Sequence, residues 1–142
     1  MIRRAEPGDI DDILPRIRPQ ERDTVARLGL DARALLREAI QGHAYSGLAD
    51  ASVACMWGIS FPMPIGCYPR LWLLTTPLVE EHKIEFLRES RRFVAWAKAE
   101  FGPIEGCVDR TNVISARWLK WLGFHEVWSN NGFSWLRTSH GD

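Results

Sequence analysis

The chain has 142 residues, of which 46% are hydrophobic, and its 18 basic side chains balance its 18 acidic ones. This length suits one domain with a buried core. Nucleic-acid binding normally needs a basic surplus, so the balance argues against nucleic acid as the main partner. No apolar run approaches the roughly 18 residues that span a bilayer, and no apolar leader follows Met1. We therefore expect no membrane association and a cytoplasmic location.

The cysteines and histidines do not follow metal-ligand or redox spacing. Cys55, Cys67 and Cys107 are far apart and form no C-x-x-C pair, and the four histidines are scattered. We expect buried free thiols and no metal site. The seven tryptophans favour a core rich in large rings, with an aromatic groove or a protein interface as the alternative.

The first third of the chain predicts a short strand followed by three helices. The strand is Ile2–Ala5, and the helices begin at Pro7, Pro19 and Asp31. Proline is favoured at the first helical position, and aspartate is a favoured N-cap. Pro15 is expected to kink or end the first helix.

The period of the apolar residues then changes from helical spacing to alternation. Val53–Phe61 predicts a strand, with His43–Ala49 as its hairpin partner. Pro62–Gly66 predicts a turn. The nearly continuous apolar run Arg70–Thr76 predicts a central strand buried on both faces.

The second half predicts a long helix, a strand, a shorter helix and a terminal hairpin. The long helix runs from about Glu80 to Phe101, and the strand is Ile104–Asp109. Asn112–Leu122 predicts the shorter helix, and Asn130-Asn131-Gly132 is typical of a hairpin turn. In the shorter helix we expect four apolar residues to face the sheet, namely Ile114, Trp118, Trp121 and Leu122.

This order of elements predicts a mixed α/β (α+β) fold with a sheet of about six or seven strands. The sheet is mostly antiparallel, with a central parallel pair formed by Leu71–Thr76 and Ile104–Asp109, and helices flank it. A strand–helix–strand crossover is right-handed, and it leaves space for a ligand at the carboxyl ends of its strands.

Two segments resemble the GNAT superfamily of acyl-CoA-dependent N-acetyltransferases. Ile2–Ile10 is similar to their first strand and helix start, and Asn112–Phe124, ending in Leu-Gly-Phe, is similar to their motif near the last helix. The resemblance covers essentially the whole chain and implies a single GNAT-like domain over residues 1–142. It also implies transfer of an acetyl group from acetyl-CoA to a small-molecule or protein amine.

The resemblance further implies which residues hold the donor. Acetyl-CoA would lie in the splay between the two central strands, where backbone groups of Leu74, Thr75 and Thr76 would pair with pantetheine. Asn112 would hold it from the other side. His82 and Lys83 would offset acidic charge near the diphosphate.

Two features depart from the family pattern. Members cradle the diphosphate in a glycine-rich turn at the start of the long helix. Counting on from Pro77, the basic or amide position falls on Glu80, and the three small positions fall on Glu81, Lys83 and Glu85. The position of the tyrosine that protonates the CoA thiolate in many members reads Leu119, and the two tyrosines, Tyr45 and Tyr68, lie elsewhere.

Two carboxylates are candidates for the base that deprotonates the amine. Asp109 ends the strand before the last helix, and Glu105 lies earlier in the same strand and would act through water. Ser115 is a candidate for orienting that water. Each of these residues also has a structural interpretation as a capping or surface residue.

A narrower resemblance links the chain to acetyltransferase-like and internal virion proteins of short-tailed phages. It rests on Thr75-Thr76, Ile84–Ser90 and the run Arg117–Phe124. Two functions therefore stay open. One is an N-acyltransferase, and the other is a GNAT-fold protein that has lost catalysis and acts in binding or in phage assembly. The second function implies homo-oligomeric or virion partners and a location in the host cytoplasm or the virion.

Overall fold

The structure is a computed structural model that describes residues 1–61 and 68–139. The strands are β1 (Ile2–Arg4), β2 (His43–Ala49), β3 (Ser52–Ser60), β4 (Arg70–Thr75), β5 (Glu105–Asp109), β6 (Phe124–Asn130) and β7 (Phe133–Thr138). The helices are α1 (Pro7–Ile13), α2 (Pro19–Arg27), α3 (Ala32–Ala39), α4 (Leu78–Glu81), α5 (Lys83–Phe101) and α6 (Val113–Trp121), and Leu14–Arg16 forms a 3₁₀ turn.

The strands form one seven-stranded sheet in the order β1-β2-β3-β4-β5-β7-β6. β4 and β5 pair in parallel, with Arg70 opposite Glu105. The pairs β1–β2, β2–β3, β5–β7 and β6–β7 are antiparallel. The predicted fold class is therefore confirmed: a mixed, mostly antiparallel sheet has a central parallel pair and flanking helices.

Local backbone signals place most of the helix and turn boundaries. Pro7 and Pro19 open their helices, and the Asp31 carboxylate caps α3 by accepting from the Ala34 N–H at 3.2 Å. Asn131 and Gly132 both have positive φ, as a type I′ turn between β6 and β7 requires. The predicted Pro62–Gly66 turn and Cys67 lie outside the described residues.

The chain divides into two compact units. The first comprises Met1–Ser60 and Leu73–Phe86. One cluster in its core consists of the buried residues Ala54, Cys55 and Val79, against which partly buried residues pack, including Trp57, Leu73 and Phe86. The second comprises Phe61–Trp72 and Leu87–Asp142. A single domain over residues 1–142 stays a prediction.

The long helix begins three residues later than predicted. Leu78–Glu81 forms the separate helix α4, and His82 leaves helical geometry at φ −124° and ψ 38°. Val79 before the break and Phe86 after it pack against the same apolar cluster in the first unit. Both segments therefore contribute an apolar side chain to this cluster.

The predicted buried face of α6 was wrong at Ile114 and Trp121, whereas Trp118 and Leu122 are half-buried. Ile114 is 59% exposed and Trp121 is 43% exposed, whereas Leu119 is 5% exposed. A Cβ added at Gly106 in β5 would lie 3.4 Å from the Leu119 Cδ1 atom. The Leu119 side chain therefore packs against β5 at Gly106, and the helix is rotated relative to the prediction.

The expectation that most tryptophans are in the core was also wrong. None of the seven is fully buried, and Trp96, Trp121 and Trp128 are exposed. Guanidinium groups cover some of the rings, as in the second unit, where Arg91 lies 4.1 Å from the centre of the Trp121 ring. β4 is less buried than predicted, since Trp72, Leu73 and Leu74 are only half-buried.

Within residues 1–61 and 68–139, no helix is both long and apolar enough to cross a membrane. In that same part of the chain, His, Cys, Asp and Glu side chains do not gather in groups of three or more that could hold a metal ion.

Candidate functional site

The carboxyl end of β4, in the first unit, is closed by a side chain from α2. Glu21 is buried, and its two carboxylate oxygens accept hydrogen bonds from the backbone N–H and the hydroxyl of Thr75, each at 2.7 Å. These bonds join residues 54 positions apart in the chain. They tie the first turn of α2 to the last residue of β4.

The Thr75 carbonyl is also occupied by α2. It accepts from the Arg18 backbone N–H at 3.1 Å. Successive backbone groups of a strand alternate between its two edges. Because the Thr76 N–H donates to Ala54 in β3, the Thr75 N–H and carbonyl point to the opposite edge of β4. Arg18 and Glu21 therefore pair with that edge much as another strand would.

Thr76 is engaged on the β3 side and at the start of α4. Its N–H and its hydroxyl both donate to the Ala54 carbonyl, at 3.0 Å and 2.8 Å. Its hydroxyl accepts from the Leu78 N–H at 3.3 Å, and its carbonyl accepts from the Val79 N–H at 3.1 Å. Thr76 thus joins β4, β3 and α4, and its N–H already has a protein partner.

Burial is the main influence on the Glu21 carboxyl group. It raises the pKa of Glu21 to about 7, against the opposing effect of the Thr75 hydrogen bonds and of Arg18. A carboxyl group with a pKa in this range changes its charge near neutral pH, which is uncommon for glutamate.

The start of α5 differs in charge from the sequence-based expectation. Glu80 lies on α4 and is ion-paired with Arg18. Lys83 is the first residue of α5, and Glu85 is the acidic residue of its first turn. The backbone N–H groups of residues 83–85 precede the first i→i−4 bond of the helix, which the Phe86 N–H makes to His82.

His82 itself lies at the break between α4 and α5. Its Nε2 atom is 3.8 Å from the Asp50 carboxylate, and its side chain is 38% exposed. Lys83 is exposed next to it. The structure therefore places both predicted cationic residues at the N-terminal end of the long helix, in the first unit.

In the second unit, Asp109 ends β5 in a local turn. Its Oδ1 atom accepts from the Thr111 N–H at 2.9 Å and from the Thr111 hydroxyl at 2.8 Å. Its carbonyl accepts from the Asn112 N–H at 2.9 Å. The side chain is buried, at 3% exposure. Asp109 therefore shapes the connection between β5 and α6.

Glu105 lies at the other end of β5. It forms an ion pair with Arg137 of β7, whose NH2 atom is 3.1 Å from its carboxylate. The Arg137 guanidinium also lies 3.9 Å from the centre of the Tyr68 ring. Four residues of strand separate Glu105 from Asp109 by about 13 Å, so the two predicted base candidates cannot share one proton.

Asn112 is the N-cap of α6. Its Oδ1 atom accepts from the Ser115 N–H at 3.3 Å, and its carbonyl accepts from the Ala116 N–H at 3.1 Å. Asn112 is half-buried, and so is Ser115. Asn112 thus caps α6, whereas its contact with a donor stays a prediction.

Other side chains that could transfer a proton or act as nucleophiles include Tyr45, Cys55 and Cys107. Tyr45 stacks on Trp57 with ring centres 6.2 Å apart. Burial raises the pKa of Cys55 to about 12 and also raises the pKa of Cys107. Both thiols therefore stay protonated and are poor nucleophiles at neutral pH.

Arg18 and Glu21 are the functional candidates that sequence reasoning missed. The residues Pro19-Gln20-Glu21 place an acidic side chain in the first turn of a helix that opens with proline, where negative charge is favoured. That local signal indicates a helix start but does not reveal the partner, because Thr75 is 54 residues away.

Comparison with solved structures shows the same fold over the whole length of several enzymes. An N-acetyltransferase from Staphylococcus aureus has a TM-score of 0.73 at 16% identity, covering 98% of this chain and 97% of that one. The PaiA N-acetyltransferase from Thermoplasma acidophilum, solved in complex with coenzyme A, has a TM-score of 0.71 at 15% identity, covering 99% and 98%. A GNAT-family acetyltransferase from Streptococcus agalactiae has a TM-score of 0.67 at 16% identity, covering 100% and 96%.

Sequence comparisons give no match. No protein-family model matches the chain, and no curated protein matches it either. At 15–16% identity the structural likeness concerns the fold. From end to end, the chain has the fold of the GNAT-family N-acetyltransferases.

Proposed function

We propose that the chain is an N-acyltransferase that moves an acetyl group from acetyl-CoA to an amine. The observation that carries the proposal is the likeness in fold to N-acetyltransferases over nearly the full length of both chains. One of these was solved with coenzyme A bound. Fold alone does not determine function, so the proposal also depends on the residues of each unit.

The reaction asks little of the protein beyond alignment and a deprotonated amine. The amine nitrogen attacks the thioester carbonyl carbon, the C–S bond breaks, and the amine's proton is lost as CoA leaves as a thiol. The products are an amide and free CoA. Proximity supplies much of the rate in such a step, so an apolar residue at the tyrosine position slows thiolate protonation without abolishing transfer.

The start of α5 fits the anionic part of the donor better than the sequence indicated. Three carboxylates were expected where a diphosphate would bind, but Glu80 lies on α4 and is paired with Arg18. The helix instead opens with the exposed Lys83. A helix N-terminus with a lysine attracts anions, and the exposed residues Glu81 and Glu85 remain as opposing charges. We assign Lys83, with His82 beside it, to the phosphate end of the donor.

The strand edge fits the pantetheine less well. The Thr75 N–H and carbonyl are bonded to Glu21 and Arg18, and the Thr76 N–H is bonded to Ala54. Leu74 is half-buried on the same strand. Pairing of pantetheine with Leu74, Thr75 and Thr76 stays a prediction, and at Thr75 it requires that bonds within the protein be exchanged.

Of the two candidate bases we assign the role to Asp109. Ligands of crossover folds bind at the carboxyl ends of parallel strands, and Asp109 is the last residue of β5, whereas Glu105 is the first. The Glu105 carboxylate is also paired with Arg137. Glu105 is therefore interpreted as a structural residue of the second unit.

A thiol-release assay with acetyl-CoA and a panel of small amines and amino-terminal peptides tests the proposal. Release should require both substrates. Asp109→Asn should lower kcat by at least about 100-fold, the lower range for a general base, whereas Glu105→Gln should retain activity if it stays folded. Absence of amine-dependent release over the whole panel would overturn the proposed function.

A second candidate is a GNAT-fold binding protein without catalysis, and two observations favour it. Leu119 is a core residue packed over Gly106, so no proton donor stands there. The turn before α5 also lacks glycine. Acetyl-CoA binding without transfer would support this candidate. The likeness to phage proteins, the oligomeric state and the cellular location stay predictions.

A further inference from the structure

The Glu21 carboxylate accepts hydrogen bonds from groups that the predicted acetyl-CoA site requires. Its oxygens lie 2.7 Å from the backbone nitrogen and the hydroxyl of Thr75. The Thr75 carbonyl is held in the same way by the Arg18 N–H. Within the first unit, α2 thus satisfies both backbone groups of the residue at the carboxyl end of β4.

These contacts occupy the edge of β4 that a pantetheine amide would use. Thr76 donates to β3, so the backbone groups of Thr75 point to the other edge of the strand. An amide that pairs with a strand needs one N–H and one carbonyl on that edge. Glu21 accepts from the first and the Arg18 N–H donates to the second, which reproduces the hydrogen bonding of such an amide.

A contact between charged side chains also holds the first turn of α2 near the end of β4. The Arg18 guanidinium is ion-paired with Glu80 on α4, and this contact fixes the N-cap residue of α2 from a second direction. Glu21 itself is 9% exposed and bonds with both oxygens. Three hydrogen bonds with Thr75, together with the ion pair between Arg18 and Glu80, therefore hold the first turn of α2 at the end of β4.

We infer that Arg18 and Glu21 are donor-site residues that hold Thr75 until acetyl-CoA displaces Glu21. The inference rests on the proposed function. Displacement weakens donor affinity, because charge-assisted bonds to Thr75 are lost when the donor's bonds form. Glu21 acts here through Thr75 and is a positioning residue. It takes no part in the bond-making step.

Three variants of the full-length protein separate this effect from simple charge. Glu21→Ala removes the acceptor and frees Thr75. Glu21→Gln keeps the shape and one acceptor oxygen, replaces the other oxygen by an amide NH2 group, and removes the charge. Asp23→Asn is the matched control, since Asp23 is an exposed carboxylate on the same helix and its replacement removes one negative charge without touching Thr75.

The measurements are acetyl-CoA titration calorimetry and the amide signal of Thr75 in nitrogen-15 spectra. Glu21→Ala should bind acetyl-CoA about tenfold more tightly than the unmodified protein, a factor typical of one lost hydrogen bond. Glu21→Gln should lie between them, and Asp23→Asn should match the unmodified protein. In the unmodified protein, acetyl-CoA should shift the Thr75 signal, and in Glu21→Ala that signal should start from a different position.

The outcomes separate this inference from the proposed function. Acetyl-CoA binding that leaves the Thr75 signal unmoved would overturn the inference and leave the proposed function standing. Equal tightening by Asp23→Asn and Glu21→Ala would also overturn it, because charge alone would then explain the effect. Absence of binding in all variants would overturn both. If Glu21→Ala does not fold, Glu21→Gln and the Thr75 signal still decide.

Discussion

Two buried carboxylates, one in each unit, bind a threonine through both its N–H and its hydroxyl. Asp109 binds Thr111 two residues along the chain, and Glu21 binds Thr75 at 54 residues' separation. The first pair shapes a turn between β5 and α6, whereas the second fastens α2 to the end of β4. The same chemical contact thus serves local geometry in one unit and tertiary structure in the other.

The difference in separation has energetic consequences. The Asp109–Thr111 bonds form wherever the turn forms, so little of the fold depends on them. The Glu21–Thr75 bonds exist only when helix and strand have been brought together, and their loss leaves buried polar groups without acceptors, which costs about 1–3 kcal/mol. The contact between Glu21 and Thr75 should therefore respond more strongly to mutation and to pH than the contact between Asp109 and Thr111.

Core packing in the second unit sets the largest effect against which these contacts can be judged. Leu119→Ala removes a buried side chain that packs over Gly106, so the free energy of unfolding should fall by roughly 2–5 kcal/mol. Trp121→Ala is the matched change on the same helix. Because Trp121 is 43% exposed under the Arg91 guanidinium, it should cost about 1 kcal/mol or less. Urea denaturation of both variants measures the difference, and equal losses would contradict the placement of α6.

The pH dependence of stability isolates Glu21. Its pKa of about 7 in the folded protein lies above the ordinary value of 4.5, so between these values the folded state binds more protons than the unfolded state. The contribution that the proton on Glu21 makes to the free energy of unfolding is complete below pH 4.5 and is lost as pH rises through 7. The free energy of unfolding should fall by roughly 2–3 kcal/mol between pH 5 and 8.

The groups facing Glu21 come from three elements. Arg18 at the start of α2 and the Thr75 bonds on β4 lower the pKa of Glu21, and Cys55 on β3 stays protonated because burial raises its pKa to about 12. Glu21→Gln should remove the pH dependence while Asp109→Asn should retain it. A slope that persists in Glu21→Gln would assign it to another group.

Replacing the threonines compares the two contacts directly. Thr75→Val removes a buried hydroxyl that donates to Glu21, and about 1–3 kcal/mol should be lost. Thr111→Val removes an exposed hydroxyl from the local turn, and its cost should stay within about 0.5 kcal/mol. Thermal unfolding of both variants is sufficient. A larger loss of stability in Thr111→Val than in Thr75→Val would show that the local turn matters more for stability than the contact between Glu21 and Thr75.

The sequence predicted what local chemistry determines. Pro7, Pro19, Asp31 and the Asn131-Gly132 pair marked boundaries correctly because each acts on its own backbone. The fold class followed from the order of such segments. The orientation of α6 did not, because it depends on packing against another element, where Leu119 lies against Gly106 of β5.

The candidate site divided in the same way. The Asn112 cap is a local feature, since its partner Ser115 is three residues away. Glu21 was missed because its burial depends on the approach of β4. The ion pair of Glu80 was missed, since its partner Arg18 is 62 residues distant.

The two helix caps provide a small expected effect on stability and a test of function. Asp31→Ala in the first unit and Asn112→Ala in the second each remove one cap bond, and each should cost about 1 kcal/mol. If Asn112 also contacts the donor, only Asn112→Ala should lower turnover in the thiol-release assay. Equal turnover in both variants would limit Asn112 to its structural role.

Calorimetric titration of the unmodified protein with acetyl-CoA tests the central claim most directly. Saturable binding at one site per chain is expected, with a Kd weaker than about 1 μM, because Glu85 opposes the diphosphate and Glu21 holds Thr75. Heat of dilution alone, in a protein shown to be folded, would contradict the assignment of an acyl-CoA-dependent enzyme.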